Sequence, residues 1–149
     1  LEASLYEDRG ELHLARATYE KALDFVQSRG AAHLPLSAYA YNGLGSIAYS
    51  RNDLPAAKQY LEQAFDWAQD ADSTDCRLRS SYQLMQVYLA EGDTAHADTL
   101  LTDLEKFARP KTLSQIGELV AGFRAFYYLR VRNLAPIEAW ENSVRATLP

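Results

Sequence analysis

The side chains able to do chemistry in this sequence are few and dispersed. His13, His33 and His96 share no metal-ligand spacing, and His13 and His96 sit just after turns, on surface-like faces. Cys76, flanked by Asp75 and Arg77, is the one cysteine of the 149 residues. A helix start would favour its thiolate, but no base is placed to use it. A single thiol also allows no intrachain disulfide and no cysteine-rich zinc site, as expected of a reducing cytosol. The carboxylates recur three or four residues from Lys or Arg, the pattern of a solvated helix face. Neither a catalytic centre nor a resident metal or cofactor is expected.

Composition narrows the classes further. The chain is 48% hydrophobic and 23% charged, enough apolar material for one folded domain. Its formal net charge of −5 argues against a duplex-sized basic face, so no direct nucleic-acid contact is expected. Arg124, Arg130 and Arg132 fall near the end of an expected helix, where positive charge complements the helix terminus. Long apolar runs and a basic-then-apolar leader are both missing, so no membrane contact and a soluble, cytoplasmic protein are expected.

The elements that would position any site are set out by a recurring phrase: Asp8-Arg9-Gly10-Glu11-Leu12, Arg51-Asn52-Asp53-Leu54, Glu91-Gly92-Asp93-Thr94 and Arg132-Asn133-Leu134. From Gly10 to Asn52 is 42 residues, from Asn52 to Gly92 is 40, and from Gly92 to Arg132 is 40. Gly and Asn tolerate the left-handed conformation that closes a helix, and the acidic or amide residue that follows can cap the next one. Pro55 and Pro136 fall in the first turn of the following helix, where a missing N–H costs little. The unit is helix, tight turn, helix.

Eight helices are expected, near 1–9, 11–29, 34–51, 53–70, 76–91, 93–108, 114–131 and 134–147. Pro35, Pro110 and the polar stretch 70–75 read as connections between units. Ala15, Ala57, Ala97 and Ile137 lie three residues past the turns, and Ala3, Gly45, Met85 and Ala125 twelve residues earlier. Small residues there would let paired helices approach closely. Tyr41, Leu44, Ala48, Leu61 and Ala64 would fill the grooves of the second unit, and Leu84, Tyr88, Leu101 and Leu104 those of the third.

That order of aromatic, Leu, Gly, then Ala, Leu, Ala resembles the tetratricopeptide repeat, most closely over Tyr41 to Ala64. The resemblance implies an all-α right-handed superhelix of about four helix pairs, near 1–30, 34–71, 76–109 and 114–148. The interval exceeds the ordinary 34 residues. Tyr82 to Ala97, Leu101 to Glu105 and Val120 to Trp140 are similar to the sensor region of the large ATP-dependent LuxR-family, MalT-like transcriptional regulators. With its first unit cut short and no initial Met, the sequence reads as a fragment of a longer chain. In that family a nucleotide-binding module lies upstream and a helix-turn-helix downstream. ATP is accordingly expected in an upstream module, since no G-x-x-x-x-G-K-[ST] occurs here.

The resemblance also places the first helix of each unit on a concave surface, with inward positions at Tyr39, Asn42, Ser46 and Tyr49, at Arg79, Tyr82, Gln86 and Leu89, and at Leu119, Gly122, Phe126 and Leu129. Tyr39, Asn42, Ser46, Tyr49, Arg79, Tyr82, Gln86 and Phe126 are the ligand-binding candidates: aromatic faces for stacking, and amide, hydroxyl and guanidinium groups for a polar edge. Each aromatic could instead pack between neighbouring helices. Trp67 and Trp140 would anchor the convex layer. The expected role is effector sensing and self-association in a bacterial transcriptional activator, with a small-molecule inducer or regulatory partner in the groove. The alternative is a protein-interaction scaffold holding a peptide or partner helix.

Overall fold

The computed structural model describes residues 2–29, 35–109, 115–136 and 139. Seven helices run through them: α1 (Glu2–Asp8), α2 (Leu12–Ser28), α3 (Pro35–Ser50), α4 (Leu54–Asp70), α5 (Thr74–Glu91), α6 (Thr94–Ala108) and α7 (Gln115–Arg130). No strand occurs among the described residues. These match the first seven expected helices to within two residues. Most of the eighth, with Ile137 and Trp140, lies outside the described residues, as do His33 and Pro110. Pro35 opens α3 instead of lying in the connection, because the first helical position needs no N–H donor.

The recurring phrase closes helices as its residue types require. Gly10, Asn52, Gly92 and Arg132 all have left-handed φ, at 73°, 60°, 80° and 57°. In each case the next N–H reaches back to a carbonyl five residues earlier: Glu11 to Tyr6, Asp53 to Ala48, Asp93 to Tyr88 and Asn133 to Tyr128. These bonds satisfy carbonyls that a helix end leaves open. Asp72, φ 48°, does the same in the connection between α4 and α5, where Ser73 N–H bonds the Ala68 carbonyl. On the far side of two turns the acidic residue caps the new helix: Asp53 accepts from Ala56 N–H at 3.2 Å and Asp93 from His96 N–H at 3.1 Å. Glu11 makes no such side-chain bond.

The small residues set the spacing of the helix pairs. Ala15, Ala57 and Ala97 are fully buried. Gly45 of α3 lies so near α4 that a Cβ on it would stand 2.5 Å from Leu61 Cγ. Gly43 plays the equivalent part toward α2, where the Tyr19 ring occupies the space a side chain would take. α3 is consequently buried nearly all round, including Asn42, whereas α2 buries only the stripe Ala15, Tyr19 and Val26.

Successive helices pack antiparallel in pairs, and α3 also touches α5 directly, as α5 touches α7. Among the odd-numbered helices, α3, α5 and α7 thus form a continuous inner layer, with the even-numbered ones as an outer layer. Direct contact on one side only is the geometry of a curved stack, with the odd helices on the shorter radius. Trp67 of α4 is half-buried against Ala38, Ala68 and Cys76, joining the outer layer to the inner one.

Candidate functional site

Four of the eight candidates come together. Tyr39, Asn42 and Ser46 of α3 and Arg79 of α5 line one polar notch on the inner layer, together with Glu7 of α1, Tyr19 of α2, Gly43 and Gln83. Stepping along α3 by three and then four residues puts its contributions on one face, and the direct α3–α5 contact brings Arg79 and Gln83 opposite them. The space between them is small, about 30 Å³.

Gly43 explains why the notch has an aromatic wall. With no Cβ in the way, the Tyr19 ring lies against α3 and tilts toward Tyr39, centroids 6.0 Å apart. Its hydroxyl donates to Glu7 Oε2 at 2.8 Å, tying α2 to α1. Burial first, and then the bond to Glu7, pushes the Tyr19 phenol far above its ordinary range, so it stays a donor. Burial also raises the Glu7 carboxyl, against the opposing effects of the Tyr19 hydrogen bond and the nearby Arg79 charge. Arg79 is exposed, with its guanidinium carbon 5.9 Å from the centre of the Tyr39 ring.

Two of the residues that line the notch bury acceptors without donors. Asn42 is only 2% exposed, and its Nδ2 donates to the Cys76 carbonyl at 3.4 Å. That carbonyl can only accept, so the amide orientation is set and Oδ1 must face the other way. Oδ1 is buried without a partner, and so is Gln83 Oε1. Cys76 itself is 6% exposed and packs with Ala38 and Ala68. It is a core residue whose backbone positions Asn42.

The other four candidates stand apart from the notch. Tyr82 stacks on Phe123 with centroids 4.6 Å apart and meets Phe126 at 5.8 Å, so both belong to the aromatic contact between α5 and α7. Tyr49 packs against the cluster of Ala48, Ala57, Leu61, Leu84 and Val87. Gln86 is half-buried on α5. Leu89 and Leu129 border a separate cleft of about 340 Å³ with Arg130 and Arg132. Leu119 and Gly122 are exposed on α7.

A larger cleft of about 500 Å³, mostly apolar, lies along α7 among Ala121, Gly122, Ala125, Tyr128 and Pro136. Of its charged lining groups, Arg124 and Glu105 are already joined. Arg124 Nε donates to Glu105 at 2.7 Å, and its other nitrogens reach Asp98 and, at 3.2 Å, Thr102. Arg124 is therefore not the helix-terminus charge the sequence suggested. It sits mid-helix on α7, where those partners on α6 recruit it. Burial works against its charge, but the bonds and charges of Glu105 and Asp98 outweigh this, and its pKa is raised. His96 likewise does more than face solvent, since its Nδ1 lies 2.6 Å from Asp93 and its ring stacks on Tyr88.

Glu7, Tyr19 and Gln83 escaped the sequence reading. The signal for Tyr19 was present as a second glycine, Gly43, two residues before Gly45 inside one helix. Among the described residues no three His, Cys, Asp or Glu could hold a metal ion, and no helix is long and apolar enough to cross a membrane. A curved stack of helix pairs with a polar notch on its inner layer defines a repeat-type regulatory or interaction module, a class that is typically a non-catalytic scaffold. The model of the MalT-like TPR region matches residues 1–147, and the chain belongs to that family. No curated protein and no solved structure matches it.

Proposed function

We propose that this chain is the effector-sensing and self-association region of a cytoplasmic bacterial transcriptional activator, in which a small-molecule inducer occupies the inner face. The observation that carries this reading is the notch shared by α1, α2, α3 and α5, where side chains from three helix pairs meet around buried, unpartnered acceptors. A ligand bridging those pairs would bind the stacked arrangement better than a loosened one, and that differential affinity is what shifts a conformational equilibrium. In the full regulator, ATP would bind a module upstream, and DNA would be read elsewhere. The test is a metabolite screen by thermal shift and calorimetry, with sedimentation of the chain with and without each hit. Stabilisation by a metabolite supports sensing, and a screen with neither shift nor heat refutes it.

One observation favours the protein-interaction scaffold as a second reading. Leu119 and Leu129 of α7 are 47% and 59% exposed on the helix that continues the inner layer, suited to an apolar partner helix. That reading expects peptide binding weakened by Asn42→Ala and Arg79→Ala.

A further inference from the structure

Resting on the sensing reading, we infer that the inner-layer notch receives the ammonium group of a small zwitterion, such as a free amino acid, whose carboxylate pairs with Arg79 at the rim. The acceptors of the lining residues decide the first half. Asn42 Oδ1 and Gln83 Oε1 are buried acceptors without donors, and the half-buried Glu7 carboxylate, which accepts one bond from Tyr19, lines the same notch with acceptor capacity to spare. A buried acceptor left unpaired is costly, so the complementary group is one rich in donors. A hydroxyl brings a single donor, whereas a primary ammonium brings three. The faces of Tyr19 and Tyr39 bordering the same space also favour a cation.

Size and the position of Arg79 decide the second half. About 30 Å³ holds a head group and excludes a sugar ring, so the rest of the ligand must lie toward the rim. Arg79 is there, exposed and held over Tyr39, and it makes no ion pair among the described residues. A guanidinium so placed suits a carboxylate, which it can hold with two parallel hydrogen bonds. A bare amine would have Glu7 as its counter-charge but would leave the Arg79 guanidinium unmatched beside it. The charge pattern of acceptors inside and guanidinium outside therefore selects a compound carrying both signs.

The probes are the common free amino acids, each with its N-acetyl and carboxamide derivatives, together with neutral disaccharides and short peptides with a free amino terminus. All are assayed on the 149-residue chain by calorimetry and thermal shift. At least one amino acid should raise the melting temperature by about 5–10 °C at a hundredfold excess over its Kd. N-acetylation should weaken it at least about tenfold, because the buried acceptors stay unpaired. Arg79→Gln, on an exposed residue, should weaken the amino acid about tenfold and leave its carboxamide within about twofold. Asn42→Leu should abolish binding of both; if that variant fails to fold, Gln83→Leu replaces it.

Response to disaccharides with none to any amino acid would overturn the inference while leaving sensing intact. Binding of the peptides alone would overturn it in favour of the scaffold. Silence from every probe would overturn the inference, while sensing stands or falls on the wider metabolite screen.

Discussion

Replacing Gly45 tests the packing that holds the inner layer to the outer one. A Cβ at this position would stand 2.5 Å from Leu61 Cγ and 2.6 Å from Cδ2. Ordinary carbon contacts are about 3.5–4.0 Å, so roughly 1 Å of movement is needed. Leu61 is fully buried, and Ala57, Leu84 and Val87 of its cluster hold it in place. Overpacking of this kind costs about 1–3 kcal/mol, and the better helix propensity of Ala over Gly returns about 0.5–1 kcal/mol. Gly45→Ala should then destabilise by about 0.5–2 kcal/mol, and Gly45→Leu by the upper end of the overpacking range or more. For a chain of this size Gly45→Ala lowers the melting temperature by about 2–6 °C.

The control is a double-mutant cycle followed by far-UV circular dichroism. Leu61→Ala alone should cost about 2–5 kcal/mol through the cavity it leaves. Combined with Gly45→Ala it should cost less than the sum, by about 1–2 kcal/mol, because the new methyl enters space Leu61 vacated. Because α3 and α4 form one pair in a stack, the loss should centre on that pair and its neighbours. A Gly45→Ala protein that melts at or above the parent temperature, or a cycle that is simply additive, would refute this account of the close approach.

Three further outcomes are expected. Arg132 holds a left-handed φ that a side chain pays for, so Arg132→Gly should stabilise by about 1 kcal/mol in thermal or urea unfolding. Arg124→Leu removes the bonds to Glu105, Asp98 and Thr102 and should loosen α7 from α6 by about 1–2 kcal/mol, read as faster amide exchange in α7. Glu7 has its pKa raised by burial above 4.5, so the folded chain binds the extra proton between that value and the folded one. Stability attributable to Glu7 is therefore greatest below pH 4.5 and falls as pH rises through the raised value. Glu7→Gln should flatten that part of the pH–stability profile, and an unchanged slope would count against the burial of this carboxyl.

Much of the fold was legible because its determinants are local. The turns at Gly10, Asn52 and Gly92 depend on one residue's φ and on hydrogen bonds within about six residues, which composition and spacing reveal directly. The register was strong enough to place Arg132 in the same conformation despite its unsuited residue type. Half of the candidate site was legible as well: Tyr39, Asn42, Ser46 and Arg79 are inward positions that the repeat resemblance implies, and helix periodicity puts the first three on one face.

The rest depended on which distant surfaces meet. Tyr82 and Phe126 read equally well as groove or packing residues until α7 was seen to bring Phe123 over Tyr82. Arg124 found Glu105 and Asp98 at separations of 19 and 26 residues, beyond any i, i+4 rule. Glu7 entered the notch only because Tyr19 crosses the gap left by Gly43. The sequence by itself determined where the chain turns and how the helices pair, since backbone conformation and caps are decided by neighbours along the chain. Tertiary structure alone decided which polar atoms are left buried without partners, because that depends on what every other helix covers.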